Sequence, residues 1–214
     1  MTAEAECPCW LTPPDSWPCP LCGDSGVDSD GLEPENGADL SECGLYRYRL
    51  WRVWDAKLPL CTWIMLNPST ADASEDDPTI RKCIGFSKRW GQGGIQVVNL
   101  YAYRATDPKE LKAAHARGVD VIGPENDEAI AGALRRLERF SGRVVVAWGG
   151  KCRSPRRGLM PDRAALGLMR AVMAESRPHD ADRILCLKRG ASGFPWHPLY
   201  MPYDTIPMPY GNAP

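Results

Sequence analysis

From Tyr46 the run YRYRLWRVW alternates aromatic and basic side chains with period two, which predicts a half-exposed strand. Four short apolar runs follow: TWIML (62–66), IQVVNLYAY (95–103), RVVVAW (143–148) and RILCL (183–187). They are rich in β-branched and aromatic residues, as buried strands are. Helical patterns lie between them. Asp77-Pro78 offers a cap followed by proline at the first helical position, and Ile80, Ile84 and Ser87 carry one face toward Trp90. Asp107-Pro108 opens a second helix to about Arg117. Ile130, Leu134 and Leu137 mark a third from about Pro124 to Phe140, and Leu166, Met169 and Met173 a fourth from near Pro161. Strands alternating with helices imply an α/β three-layer sandwich. Its central sheet should be mostly parallel, with about four to five strands and helices on both faces.

Residues 1–44 break this texture. They are rich in Pro, Gly and Asp and hold five of the nine cysteines. A segment this polar buries little apolar surface, so it needs a staple or stays disordered. Cys7-Pro-Cys9 and Cys19-Pro-Leu-Cys22-Gly form two knuckles nine residues apart. Two such thiolate pairs complete a tetrahedral site, so we expect structural zinc on Cys7, Cys9, Cys19 and Cys22, with Cys43 as a substitute ligand. A redox pair or unpaired surface thiols are the competing readings. Residues 24–42 read as a flexible acidic linker. The expected organisation is a zinc module with linker over 1–44 and an α/β domain over 45–214. Cys61, Cys83, Cys152 and Cys186 fall on or beside apolar elements and read as core.

Charge divides at the same place. Residues 1–42 carry ten acids and no Lys or Arg. The rest of the chain holds all 26 basic groups against the other 17 of the 27 acids. An acidic head on a basic body suits nucleic-acid binding by the body, and equally a soluble enzyme with basic faces. No apolar run approaches the ~20 residues of a membrane span, and the N-terminus lacks a secretory pattern. A cytoplasmic, reducing location, a monomeric state and no membrane partner are the expectations.

In a doubly wound sheet the ligand crevice lies beyond the carboxyl ends of the strands. Those ends read Leu66-Asn67-Pro68-Ser69-Thr70-Ala71-Asp72, Asn99-Leu-Tyr101-Ala-Tyr103-Arg104, Trp148-Gly149-Gly150-Lys151 and Trp196-His197-Pro198-Leu199-Tyr200. Each alone has a bland reading: an Asx turn at Asn67, a satisfied amide at Asn99, a loop histidine at His197.

Their order resembles the uracil-DNA glycosylase-like superfamily over about residues 62–201. Within it the chain looks nearest to an uncharacterised bacterial and phage family, domain of unknown function 1643, marked by NPSTAD, DPT, NLYAYRAT and HPLY. The resemblance implies a DNA glycosylase-like hydrolase that flips a damaged or modified base out of DNA and removes it. Asn67 would orient the water, with Asp72 or Asp76 as a stronger base, and His197 would donate to the departing base anion. Asn99 would read the base edge, with Tyr101 or Phe86 stacking on it and Ser69 and Trp148 completing the pocket. Lys151, Arg153, Arg156 and Arg157 are suited to phosphates, or to a solvated turn. Two departures stand out: Met65 replaces a glycine and Leu199-Tyr200 replaces Ser-Pro. A base-modifying enzyme or a non-catalytic reader of modified DNA would use the same pocket.

Overall fold

The computed structural model describes residues 36–69, 71–140, 142–149, 184–191 and 193–210. The chain divides into two units, Met1–Glu33 and Pro34–Pro214. All described residues belong to the second.

Its centre is strand β3, Leu60–Met65. Cys61, Trp63 and Met65 pack on one side and Ile64 on the other, so both faces are buried and the sequence reads as an unbroken apolar run. Parallel neighbours flank it: β4 (Gly94–Asn99) on one edge and β5 (Arg143–Val146) on the other. Beyond β5 lies β6 (Ile184–Cys186), also parallel. On the far side of β4 come β2 (Arg47–Val53), antiparallel to β4, and β1 (Asn36–Leu40), antiparallel to β2. An antiparallel edge, β7 (Met208–Pro209), pairs with β6. The order is β1-β2-β4-β3-β5-β6-β7.

Helix α1 (Pro78–Arg89) covers one face, where Ile80, Cys83 and Phe86 meet Trp63, Ile95 and Val97. Helices α2 (Pro108–Ala116) and α3 (Asn126–Phe140) cover the other, where Leu111, Ile130 and Leu134 meet Ile64, Val98 and Val144. The Asp-Pro signals hold. Asp77 accepts from Thr79 N–H and Ile80 N–H at 2.8 Å each, and Asp107 from Lys109 N–H at 2.9 Å. Ser87 is fully buried because its Oγ takes the Trp63 indole N–H at 3.0 Å.

Three expectations change. The sheet has seven strands with three parallel and three antiparallel pairings, so it is mixed, and its parallel part is the central four. Residues 36–40, expected within the linker, form β1: the short turn that joins them to β2 makes an antiparallel hairpin. β2 itself is mostly buried, not half exposed. It can bury Arg52 because the guanidinium donates to Asp76 Oδ1 and to the carbonyls of Gly37, Trp51 and Asp72. The expected fourth helix from Pro161 lies outside the described residues.

Candidate functional site

A cavity of about 610 Å³ opens at the carboxyl ends of β3, β4 and β5, within the ~300–1,000 Å³ range of small-molecule sites. The chain leaves β3 for α1 on one face and β4 for α2 and α3 on the other. The cavity therefore sits where the direction of winding reverses. Met65, Ile80, Val97 and Phe194 give it apolar walls. Trp196 and Tyr200 line it while remaining 40% and 64% exposed, so they border the opening.

Four of the strand-end residues named from sequence line this one cavity: Asn67, Asn99, Trp148 and His197, together with Ser69. Each is held differently. Both N–H bonds of the Asn67 amide are committed, to Ala105 O at 2.7 Å and Pro68 O at 3.0 Å. Two carbonyl partners leave no ambiguity about which end is nitrogen, so the group Asn67 can offer a ligand is Oδ1, an acceptor. Asn99 ends β4 and is 1% exposed, and neither its Oδ1 nor its Nδ2 has a partner. The Trp148 indole nitrogen, also buried, lacks one too. A buried polar group left unpaired costs about 1–3 kcal/mol. This wall thus carries an unused donor-acceptor pair and an unused donor.

His197 caps the one-turn 3-10 helix Pro198–Tyr200 by accepting the Leu199 N–H on Nδ1 at 3.3 Å. That bond places the proton of the neutral ring on Nε2. Gly149, at φ +75°, lies against it: a Cβ there would stand 3.4 Å from His197 Cβ. Glycine at this position adopts a left-handed backbone that other residues rarely take.

Two charged residues of the cavity escaped the sequence reading, Arg47 and Asp77. Arg47 is 2% exposed, and its Nη1 donates to Ala71 O at 2.6 Å. Burial pushes its guanidinium down to about 10, partly offset by nearby Asp77, and it stays charged at neutral pH. Asp77, a helix cap by its sequence signal, does cap α1 and also lines the cavity.

Other named residues are placed elsewhere. Phe86 is fully buried among Trp63, Trp90 and Tyr203, and Tyr101 belongs to the core on the α2–α3 face; neither lines the cavity. Asp72 closes its own loop, accepting from Ser74 N–H, Ser74 Oγ–H and Glu75 N–H. Asp76 pairs with Arg52 at 2.9 Å. The cavity lining includes neither of these two carboxylates. Lys151, Arg153, Arg156 and Arg157 lie outside the described residues, as do Cys7, Cys9, Cys19 and Cys22. Among the described residues no group of three or more His, Cys, Asp or Glu side chains could hold a metal. Cys43 is exposed beside Ser41, whereas Cys61, Cys83 and Cys186 are buried. No helix of the described residues is long and apolar enough to cross a membrane.

Residues 47–199 match the model of a family described as a protein of unknown function, DUF1643. No curated protein and no solved structure gave a match.

Proposed function

We propose that this chain, which belongs to the DUF1643 family, binds a flipped nucleobase of DNA in the cavity and hydrolyses its N-glycosidic bond. The observation that carries the reading is Asn99. A buried amide with donor and acceptor both unpaired matches the edge of a base, which presents an acceptor beside a donor. The sequence resemblance to uracil-DNA glycosylase-like enzymes supports the same assignment.

In the proposed reaction the bond between the sugar C1′ and the base nitrogen breaks first, and its electron pair leaves with the base. Water oxygen then bonds to C1′, and the proton released passes to solvent or to the departed base. Asn67 Oδ1 accepts from that water and orients it; an amide cannot deprotonate it. The cation-like sugar needs no strong nucleophile, so the absence of Asp72 and Asp76 from the cavity lining does not stop the reaction. His197, with its proton on Nε2, donates to the oxygen on which the base anion develops charge. One such donor is worth ~3–4 kcal/mol in a water-excluded site. Trp196 and Tyr200, aromatic and exposed at the opening, are suited to stacking on neighbouring bases.

The test is base release from single- and double-stranded oligonucleotides carrying uracil, mismatched thymine, hydroxymethyluracil or hypermodified pyrimidines. Wild type should leave an abasic site, and His197→Ala should slow release by about 10²–10³-fold. Tight binding with no abasic product across the panel would replace hydrolysis with a modifying or reading role.

A further inference from the structure

We infer that Arg47 forms an anion subsite inside the cavity, so that the ligand is a nucleotide gripped by a phosphate oxyanion as well as by its base. The base half rests on the reading of Asn99 above; the anion half stands on Arg47 itself.

The first support is how Arg47 reaches the cavity. Along β2, Leu50 packs on the α1 face, and Arg52 on the same face donates to Asp76 and to Asp72 O. Strict alternation would place Tyr48 with them and turn Arg47 to the opposite side. The register with β1 slips instead: Asp39 stands opposite Arg49, but Leu40 stands opposite Arg47, and Tyr48 is skipped. This bulge brings Arg47 onto the cavity face, where it reaches Ala71 O beside the contact that Arg52 makes with Asp72 O. Bulges re-aim side chains in this way beside functional sites.

The second support is what Arg47 lacks. Every guanidinium nitrogen of Arg52 has a partner, one carboxylate and three carbonyls in all. Arg47 is as deeply buried, yet its Nε has no partner. With Nη1 anchored to Ala71 O, the Nε–Nη2 edge of the fork remains for a ligand. That edge matches two oxygens of a phosphate. Asp77 lines the same cavity and tempers the positive field, but its Oδ1 is taken by the Thr79 and Ile80 N–H groups and it does not reach Arg47 Nε. A guanidinium buried this deeply without an ion pair is expensive, and a ligand oxyanion removes that cost.

The phosphate can come from a free nucleotide or from a strand of DNA, and the experiment separates the two. Calorimetry on the full chain compares thymidine and deoxyuridine with their 5′-monophosphates and with short oligonucleotides, for wild type, Arg47→Lys and Arg47→Met. In parallel, the Arg47 Nε–H resonance, assigned by its loss in Arg47→Lys, is followed in wild type as inorganic phosphate replaces chloride at constant ionic strength. The phosphorylated ligand should bind about ten- to a hundredfold tighter than the nucleoside, and Arg47→Met should erase that difference. The Nε–H signal should move downfield with phosphate, and this result, which needs only the conservative Arg47→Lys for its assignment, stands even where Arg47→Met does not fold. Gain from the monophosphate identifies a free nucleotide; gain only from the oligonucleotide identifies a DNA phosphodiester. Equal affinity for nucleoside and nucleotide, with a static Nε–H signal, overturns the subsite and leaves the base reading intact. Phosphate seated on Arg47 without binding of any nucleoside does the reverse.

Discussion

Two asparagines one hydrogen bond apart should respond to the same substitution with opposite sign. Asn99 is buried with both amide atoms unpaired in the free protein. Asn126 is equally buried, but its Nδ2 donates to the carbonyls of Asn99 at 3.0 Å and Leu100 at 3.2 Å. Asn99→Leu keeps the branch at Cγ and removes an unsatisfied donor and acceptor that together cost about 1–3 kcal/mol. Its neighbours Met65 and Val97 are apolar, and the cavity beside it gives room for the two methyls that replace the amide oxygen and nitrogen. The variant should therefore be more stable by about 1–3 kcal/mol. For a domain of this size that is a rise of about 2–12 °C in Tm. Asn126→Leu strips two carbonyls of their donor while relieving only its own unpaired Oδ1, and should cost about 1–3 kcal/mol.

Urea unfolding of the two variants beside wild type measures both differences. Activity should not follow stability: the more stable Asn99→Leu should lose base binding, because the leucine offers neither donor nor acceptor. A fall in stability for Asn99→Leu, comparable with that of Asn126→Leu, would mean the Asn99 amide is already paired in the free protein. The case for it as a vacant base reader would then fail.

The Asp72 carboxyl is held below the usual carboxylate range by the N–H groups of Glu75 and Ser74 and by the Ser74 hydroxyl. A depressed folded pKa contributes stability that is complete above the unfolded value of about 3.9 and lost as pH falls through the folded one. The stability gap between wild type and Asp72→Asn, measured in urea, should therefore close on acidification from about pH 5; a gap constant with pH would deny those bonds their role. The cysteine knuckles predict one equivalent of zinc per chain, released in Cys19→Ser plus Cys22→Ser. Metal analysis finding no zinc in wild type would remove the module.

The elements that could be read from sequence are those whose cause is local. The Asp-Pro caps fix the starts of α1 and α2 through bonds made two and three residues away. The unbroken apolar run of β3 reflects helices on both its faces. Strand β1 was hidden because NGADL has no apolar pattern of its own; it is a strand by virtue of pairing with β2. Phe86 shows a different error. It sits three residues after Cys83 and six after Ile80, on the buried stripe of α1, and helical spacing alone should have assigned it to the core. Tyr101 keeps step with Asn99 on paper, but β4 ends at Asn99 and the face is not maintained beyond it.

Arg47 marks the boundary between local and tertiary information. In YRYRLWRV the basic residues fall at 47 and 49 and then at 52, so the period slips by one within the strand. Read as a single alternating ribbon, that slip looks like a loss of pattern. A bulge at Tyr48, where the structure has it, puts Arg47 and Arg52 on one face, with Arg49 turned away toward Asp39. What the sequence cannot supply is the position of the slip, because it depends on Leu40 standing opposite Arg47 on a partner strand that has no hydrophobic pattern. Nor can it say that one arginine will be saturated by carbonyls and the other left with an empty edge. That difference comes from where the loop after β3 places the carbonyls of Ala71 and Asp72. An arginine at a break in strand period, just ahead of an apolar run, is therefore worth testing for a cavity role even when its neighbours are plainly structural.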